Sequence, residues 1–269
     1  MTGTAIEALF RREDIVVLAA LVVLTLLAWL ALLAGAGTGM DPFAMSGWLL
    51  PVTQPAAPAP AWTLSYWLIA FFMWAVMMVA MMLPSASPVV LLYARVVRHA
   101  EAEGRHLKAH AAITAFASGY LAIWSLFSLL AVSLQWGLER MGAMSAMMSL
   151  GAGLLSGGLL IAAGLYQLTP LKAACLNHCR APASFLAAHW RKGVRGAWRM
   201  GLVHGLYCVG CCAALMGLLF VGGVMNLVWI AGLTAFVAVE KLAPFGAAAA
   251  KAVAAVLIAG GVALVLAAL

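Results

Sequence analysis

Long apolar runs separated by short polar segments make up most of this 269-residue chain. Runs of about 18 or more apolar residues are long enough to cross the hydrocarbon core of a bilayer as helices. The pattern predicts seven such helices, roughly over residues 15–34, 62–83, 110–134, 149–168, 200–220, 224–239 and 247–269. We therefore predict an all-α polytopic membrane protein with a single transmembrane domain over residues 1–269.

Proline interrupts this pattern in two places. Residues 51–60 contain four prolines, which predicts an extended, polyproline-like connection. Pro84 and Pro88 are predicted to end the second helix, with a further helical stretch over 89–97. The first apolar run lacks a small-residue cleavage pattern, so we expect it to remain as a helix.

Composition excludes a soluble globular domain, because 66% of the residues are hydrophobic and 9% are charged, with a mean hydropathy of +1.08. Soluble proteins have about 25% charged residues. The five cysteines form two short clusters with an odd total, which is not the pattern of a disulfide framework. We find no Ser/His/Asp arrangement, phosphate-binding glycine loop or paired carboxylates, so we do not expect an enzyme.

Basic residues are concentrated on one side of the predicted membrane. With the N-terminus inside, 14 of the 15 Lys and Arg residues fall in inner segments, and only Arg140 falls outside. The positive-inside rule therefore predicts an inside N-terminus and an outside C-terminus. This distribution also accounts for the net charge of +7 without a nucleic-acid partner. We expect a multi-pass membrane protein that is surrounded by lipid.

The fifth predicted helix carries the most specific chemistry, one imidazole and three thiols within nine residues. His204, Cys208, Cys211 and Cys212 project from one helical face, within about 100° of one another. Sulfur and imidazole ligands suit a soft transition metal, copper(I) first and zinc second. A single buried cysteine would be ordinary packing, but a histidine within the membrane needs a partner. The glycines at the ends of segment 201–205 predict close approach of a neighbouring backbone.

A second cluster follows the fourth predicted helix at the inner surface. Cys175, His178 and Cys179 share one face if the segment is helical, and such local spacing is common in metal sites. The order Cys-x-x-His-Cys differs from the Cys-x-x-Cys-His of haem attachment. Surface thiols beside a chance histidine are an equally good interpretation of this cluster alone.

A methionine stripe runs along the second predicted helix. Met73, Met77 and Met81 repeat at four-residue spacing, and Met78 and Met82 lie beside them. Such stripes are more often core packing than ligands, but thioethers select copper(I) over zinc. We expect most of the stripe to lie level with the thiols of the fifth helix. The predicted outer segments add six methionines and neither histidine nor cysteine: Met40, Met45, Met141, Met144, Met147 and Met148.

Two further polar features of the apolar helices need partners. Glu240 is expected to pair with Lys241 or with another inner-face base, and a role in orienting His204 is the alternative. Tyr166 and Gln167 are expected to form hydrogen bonds within the core.

Three stretches resemble a family of predicted metal-binding integral membrane proteins of bacteria, some of which are described as copper chaperones. They are 74–84 (WAVMMVAMMLP), 166–172 (YQLTPLK) leading to the second cysteine cluster, and 201–216 with its Cys-x-x-Cys-Cys. The resemblance extends from the second to the sixth predicted helix. It implies copper binding and delivery to a copper enzyme, by a chaperone or transporter. Relatives often carry an aromatic residue after the paired cysteines, where this chain has Ala213.

The resulting hypothesis is a path for copper(I). The ion passes along the methionine stripe to His204, Cys208, Cys211 and Cys212, and the Cys175 cluster exchanges it at the inner mouth. The expected partner is a copper-dependent client enzyme or a soluble copper carrier. The direction in which copper moves along this path is open. Two rivals remain: a membrane thiol oxidoreductase that uses Cys208 and Cys211, and a structural assembly factor without metal.

Overall fold

The structure is a computed structural model that describes residues 3–46, 61–104, 108–145, 148–151 and 153–269, with side chains from residue 15 onward. These described residues are almost entirely helical, and the only β-type pairing among them is an isolated bridge between Met144 and Leu150. The helices are α1 (Gly3–Leu33), α2 (Leu64–Ala102), α3 (Ala109–Arg140), α4 (Gly153–Gln167), α5 (Pro170–Arg180), α6 (Pro182–His189), α7 (Gly193–Gly217), α8 (Leu219–Gly222), α9 (Leu227–Leu242) and α10 (Gly246–Ala267).

Each of the seven predicted apolar segments is helical, but they differ in length. Five are long and apolar enough to cross a membrane: Ile15–Leu33, Leu64–Ala102, Ala109–Arg140, Gly193–Gly222 and Gly246–Ala267. The pair α4 and α5 is a sixth candidate, although it is bent by 64°. The all-α class and the multi-span character are therefore confirmed, with five candidate spans instead of seven.

The predicted break in the second helix is wrong, because α2 continues through Pro84 and Pro88 to Ala102. Each proline lacks the amide that would bond to the carbonyl four residues earlier, and within a membrane a neighbouring hydroxyl can replace that donor. Ser87 Oγ donates to the carbonyl of Pro84 at 2.8 Å, which satisfies the group that Pro88 leaves free. The hydroxyl of Ser85 likewise reaches the carbonyl of Met82 at 2.9 Å.

Several sequence predictions fall outside the described part of the chain. The extended segment 51–60, Arg105 and Met147 are among the residues that are not described. The side chains of Arg11 and Arg12, which contribute to the predicted orientation, are not described either.

Glycines bring α3 and α7 into close contact, as the 201–205 segment predicts. A Cβ at Gly201 would lie 3.1 Å from the backbone nitrogen of Tyr120, and one at Gly205 would lie 2.8 Å from the Cβ of Ile123. On the α3 side, a Cβ at Gly119 would lie 3.2 Å from the carbonyl carbon of Trp198. Small residues let the two backbones approach where lipid supplies no hydrophobic force to join them.

The second cysteine cluster lies on α5, which turns back from α4 onto the side of α7. Thr169 caps the start of α5 by accepting a hydrogen bond from the amide of Lys172 at 3.2 Å, and Pro170 occupies the first turn. At the far end of α5, Arg180 donates to the carbonyls of Glu240 at 3.2 Å and Ala243 at 2.9 Å, where α9 ends. The helix is thus tied to α9 while it packs against α7.

Candidate metal site

Thiols from α5 and α7 meet in the core. The sulfur of Cys179 lies 3.9 Å from that of Cys211, which lies 3.3 Å from that of Cys212. Two metal–sulfur bonds of about 2.3 Å each span at most about 4.6 Å, so both separations allow a shared metal ion. All of the cysteines are free thiols. We call Cys179, Cys208, Cys211 and Cys212 the thiol cluster.

Cys208 lies beside two polar groups that come from other helices. The ammonium of Lys241 on α9 lies 3.0 Å from its sulfur, and the hydroxyl of Tyr120 on α3 lies 3.2 Å from it. Lys241 also donates to Ser85 of α2 at 3.1 Å. Lys241 is 5% exposed, so its charge is in a medium where ionic interactions are much stronger than in water. The cation is therefore placed to stabilise negative charge on the thiol cluster.

The three residues of the second cluster are all half-buried, but only Cys179 approaches the α7 thiols closely. While Cys179 joins the thiol cluster, the sulfur of Cys175 lies against Gly210, where a Cβ would be only 2.7 Å away. His178 stacks on Tyr207 with ring centroids 3.9 Å apart and an angle of 3° between the planes. Its Nδ1 lies 2.8 Å from the carbonyl of Ala174 within α5. This cluster lies beside the α7 cysteines, whereas the sequence predicts it below them, because the 64° bend folds α5 back.

His204 is buried among aromatic rings. Its ring centroid lies 4.9 Å from that of Phe185, 5.8 Å from that of Tyr120 and 6.2 Å from that of Phe116. The residue is 2% exposed, and its Nδ1 has no hydrogen-bond partner among the described residues. A buried imidazole nitrogen without a partner is costly, so this atom is available for a ligand.

The methionine stripe of α2 belongs to the same core cluster as Cys208, Cys211 and Cys212. Its five members are at most 1% exposed: Met73, Met77, Met78, Met81 and Met82. At one end the ring of Trp74 lies 5.2 Å from that of Phe220, just beyond the end of α7. At the other end the carbonyl of Met82 accepts a hydrogen bond from Tyr120 at 3.3 Å, level with the thiol cluster. The stripe therefore lies in the same core as the α7 thiols, and its Met82 end reaches the level of Cys208 through Tyr120.

The family of the chain follows from a comparison with protein-family models. Residues 71–264 match the PpoB2 family, which is described as a copper chaperone family. The chain belongs to this copper chaperone family. The match covers the chain from α2 to α10 and so includes every cysteine and the whole methionine stripe. A search of curated proteins found no significant match, and a search of solved structures found none either.

The thiols of this chain are gathered but do not form a closed coordination shell. Among the described residues, no group of three or more His, Cys, Asp or Glu side chains is arranged to hold a metal ion. The predicted ligands thus remain predictions: His204 and His178 form no described contact with sulfur, and the thioethers of α2 are neighbours in the core. Family membership supports copper, and the thiols provide the soft donors that copper(I) prefers.

The sequence did not predict the groups around Cys208. Tyr120 is 88 residues from Cys208 along the chain, and Ser85 is 156 residues from Lys241. No local pattern links such positions. In the sequence, Lys241 looks like one of the basic residues that follow the inner end of a transmembrane helix.

Glu240 is paired with a basic residue, as expected, and that residue is Lys172 and not Lys241. Its carboxylate forms an ion pair with Lys172 at 2.5 Å, and both side chains are buried. Beyond this pair, neither carboxylate oxygen of Glu240 has a hydrogen-bond partner among the described residues.

Of the other two polar residues, Tyr166 donates to the carbonyl of Gly210 at 2.5 Å, as predicted. The prediction for Gln167 is wrong, since its amide atoms are buried without a partner in the described part of the chain.

Proposed function

We propose that this protein is a membrane copper(I) chaperone that binds the ion at the thiol cluster and delivers it to a copper-dependent enzyme. The observation that carries the proposal is the approach of thiols from two helices in the core, Cys179 to within 3.9 Å of Cys211. The copper chaperone family supplies the identity of the metal. In this proposal Cys208 and Cys212 complete the sulfur donors, and His204 offers its free Nδ1.

Sulfur chemistry supports copper(I) as the oxidation state. Thiolates and thioethers are soft ligands that select copper(I), whereas zinc gains little from thioethers. A buried thiolate cluster with bound copper(I) carries net negative charge. Lys241, 3.0 Å from Cys208, offsets that charge in a region that water does not reach. Zinc remains the second choice of metal.

The methionine stripe supplies a route for the ion. Neutral thioethers bind copper(I) without losing a proton, so the ion can leave them for the stronger thiolate donors. Met77, Met78, Met81 and Met82 are the proposed carriers, with Met73 at their far end. Cys175 and His178 lie at the edge of the thiol cluster, where they are suited to exchange copper with a soluble carrier.

We propose seven membrane crossings with the N-terminus inside the bacterial inner membrane. The distribution of basic residues supports this orientation, and α4 and α9 add short crossings to the five long helices. A chaperone role requires no bond to be made or broken in a substrate, which agrees with the expectation of a non-enzyme. The rival oxidoreductase is disfavoured because Cys208 and Cys211 are each 1% exposed, beyond the reach of a soluble dithiol partner.

The test is the copper content of anaerobically purified protein after loading with copper(I). We expect bound copper in the wild type and loss of the tightly bound copper in the Cys211→Ser/Cys212→Ser variant. The matched control is Ala213→Ser/Ala214→Ser, which adds two hydroxyls to the next positions of α7 and leaves every thiol in place. X-ray absorption at the copper edge reports the oxidation state.

Three results would overturn the proposal. One is a wild type that binds no copper and instead contains a redox-active disulfide, which would support the oxidoreductase. Another is equal copper content in the wild type and the double Cys variant. The third is a wild type with neither copper nor a disulfide, which would support the structural assembly factor.

A further inference from the structure

Three chain segments that are far apart in sequence meet near the end of α7. The amide of Leu227 donates to the hydroxyl of Ser46 at 2.9 Å, which joins the start of α9 to the 3₁₀ turn Ala44–Ser46. The amide of Val224, in the turn before α9, donates to the carbonyl of Met148 at 3.2 Å, which joins that turn to the loop between α3 and α4.

Each of the three segments carries a methionine next to these hydrogen bonds. Met45 precedes Ser46, Met225 follows Val224, and Met148 itself supplies the carbonyl. Met144 belongs to the same loop and is bridged to Leu150, whose amide donates to the carbonyl of Phe220 at 2.7 Å. We call Met45, Met144, Met148 and Met225 the distal methionine cluster.

The distal methionine cluster is buried although it is built from loops and turns. Its members are 8%, 3%, 6% and 0% exposed in chain order, and all four belong to the core cluster that contains the thiols. None of its three segments contains cysteine or histidine. Further out along the chain, Met40 is half-buried and Met141 is 79% exposed. The methionines of these segments thus range from exposed to fully buried.

The backbone of Met148 is an independent sign of function. Its φ is +52°, in the left-handed region that side chains rarely adopt and that turns usually fill with glycine or asparagine. The conformation is held by the hydrogen bond from Val224 and by the bond from the amide of Met148 to the carbonyl of Ser145 at 3.0 Å. Strained residues cluster at active sites, ligand sites and switch regions, which agrees with a functional role for this loop.

We propose that the distal methionine cluster is a second copper(I) site, made of thioethers alone. This inference rests on the proposed chaperone function and extends it by naming where copper enters or leaves at the end remote from the thiols. Thioethers are neutral and soft, so the site selects copper(I) against the harder divalent ions and holds it less tightly than thiolates do. A weaker site at one end of the copper route suits an ion that must be passed on.

Buried methionines connect the two sites. Met216 of α7 is 0% exposed and lies five residues beyond Cys211, about 8 Å along the helix axis. Met73 neighbours Trp74, whose ring packs on Phe220 at the edge of the distal methionine cluster. The α2 stripe and the thiols belong to the same core cluster, so soft sulfur donors are available between the two sites.

The experiment is an anaerobic copper(I) titration in detergent, with a chromophoric chelator as competitor. We expect the wild type to bind copper in a tight and a weaker class. The Met45→Leu/Met148→Leu/Met225→Leu variant should lose about one equivalent of the weaker class and keep the tight class. Leucine has a similar volume, so the core stays filled. The control is Met200→Leu, a buried methionine of the other core cluster.

A complementary experiment uses the Cys211→Ser/Cys212→Ser variant labelled with selenomethionine. Copper(I) that remains bound should show copper–selenium scattering in X-ray absorption at the selenium edge, and Met148→Leu in this background should reduce it. If the triple Met variant does not fold, this single substitution provides the same comparison.

The outcomes separate the two proposals. Unchanged copper binding in the triple Met variant, together with loss of the tight class in the Cys variant, overturns the distal site and leaves the chaperone proposal standing. Absence of copper from the wild type overturns the chaperone proposal itself. Absence of copper–selenium scattering, with copper still bound, overturns the assignment to thioethers and reduces these methionines to core packing.

Discussion

Gly210 illustrates how one missing side chain positions a cysteine. A Cβ at this position would lie 2.7 Å from the sulfur of Cys175 and 3.4 Å from its Cβ. A Cβ that close to Cys175 would push α5 away from α7, and Cys179, which lies on α5, would move as well. The thiol cluster thus depends on a glycine that carries no ligand.

We predict that Gly210→Ala destabilises the protein by about 1–3 kcal/mol, the usual range for an overfilled core. Thermal unfolding in detergent measures the change, and copper affinity should fall with it because Cys179 moves. Gly217→Ala is the control. Gly217 lies in the same helix, and a Cβ at this position would have no neighbouring atom within 4 Å. Equal stability of the two variants would contradict the prediction.

Lys241 is the second residue whose role depends on its neighbours. We predict that Lys241→Met weakens copper(I) binding about tenfold, equivalent to about 1.4 kcal/mol. The physical reason is the loss of a buried cation 3.0 Å from Cys208, which leaves the negative charge of the copper–thiolate site less compensated. Competition titration measures the affinity. Lys251→Met, on an exposed position of α10, should bind copper like the wild type. Tighter binding by the Lys241 variant would show that the ammonium competes with the metal.

At the scale of elements, the buried ion pair between Lys172 and Glu240 joins α5 to α9. Removing one partner leaves the other charge buried and unpaired, which typically costs about 3–5 kcal/mol. We predict such a loss for Glu240→Leu and for Lys172→Met. The double variant should recover much of it, because two apolar side chains leave no charge behind.

A double-mutant cycle of thermal unfolding measures this coupling. Losses that simply add in the double variant would show that the two charges do not compensate each other. Copper binding by the double variant tests whether the pair also holds Cys179 beside Cys211.

The elements also show where sequence patterns succeed and fail. Apolar length predicted helices in all seven places, because backbone hydrogen bonds within a membrane must be satisfied inside each helix. The rule that proline ends a helix failed at Pro84 and Pro88, and at Pro88 the Ser87 hydroxyl replaces the missing donor. The turn of α5 back onto α7 had no sequence pattern of its own beyond Thr169 and Pro170 at its start.

At the scale of the whole molecule, the orientation in the membrane is open to direct measurement. We predict an outside C-terminus, because the N-terminus is predicted inside and the proposed number of crossings, seven, is odd. Alkaline phosphatase fused after Leu269 or after Gly142 should be active, and green fluorescent protein at the same positions should be dark. Fusions at Lys192 should show the reverse.

A fluorescent fusion at Leu269 would indicate an even number of crossings. In that case α4 and α5 would form one bent crossing, giving six spans, and α9 would not cross separately.

The sequence by itself determined the helical class, the face shared by the α7 cysteines, the methionine stripe and the copper chemistry of soft donors. Helix periodicity and apolar length are local properties, so they can be derived from consecutive residues. Tertiary structure alone decided that Cys179 meets Cys211, that Lys241 meets Cys208 and that the distal methionine cluster assembles from three segments. The reason is that lipid tails and helix surfaces are equally apolar, so hydrophobicity does not specify which helices pack together; small residues and buried polar contacts do.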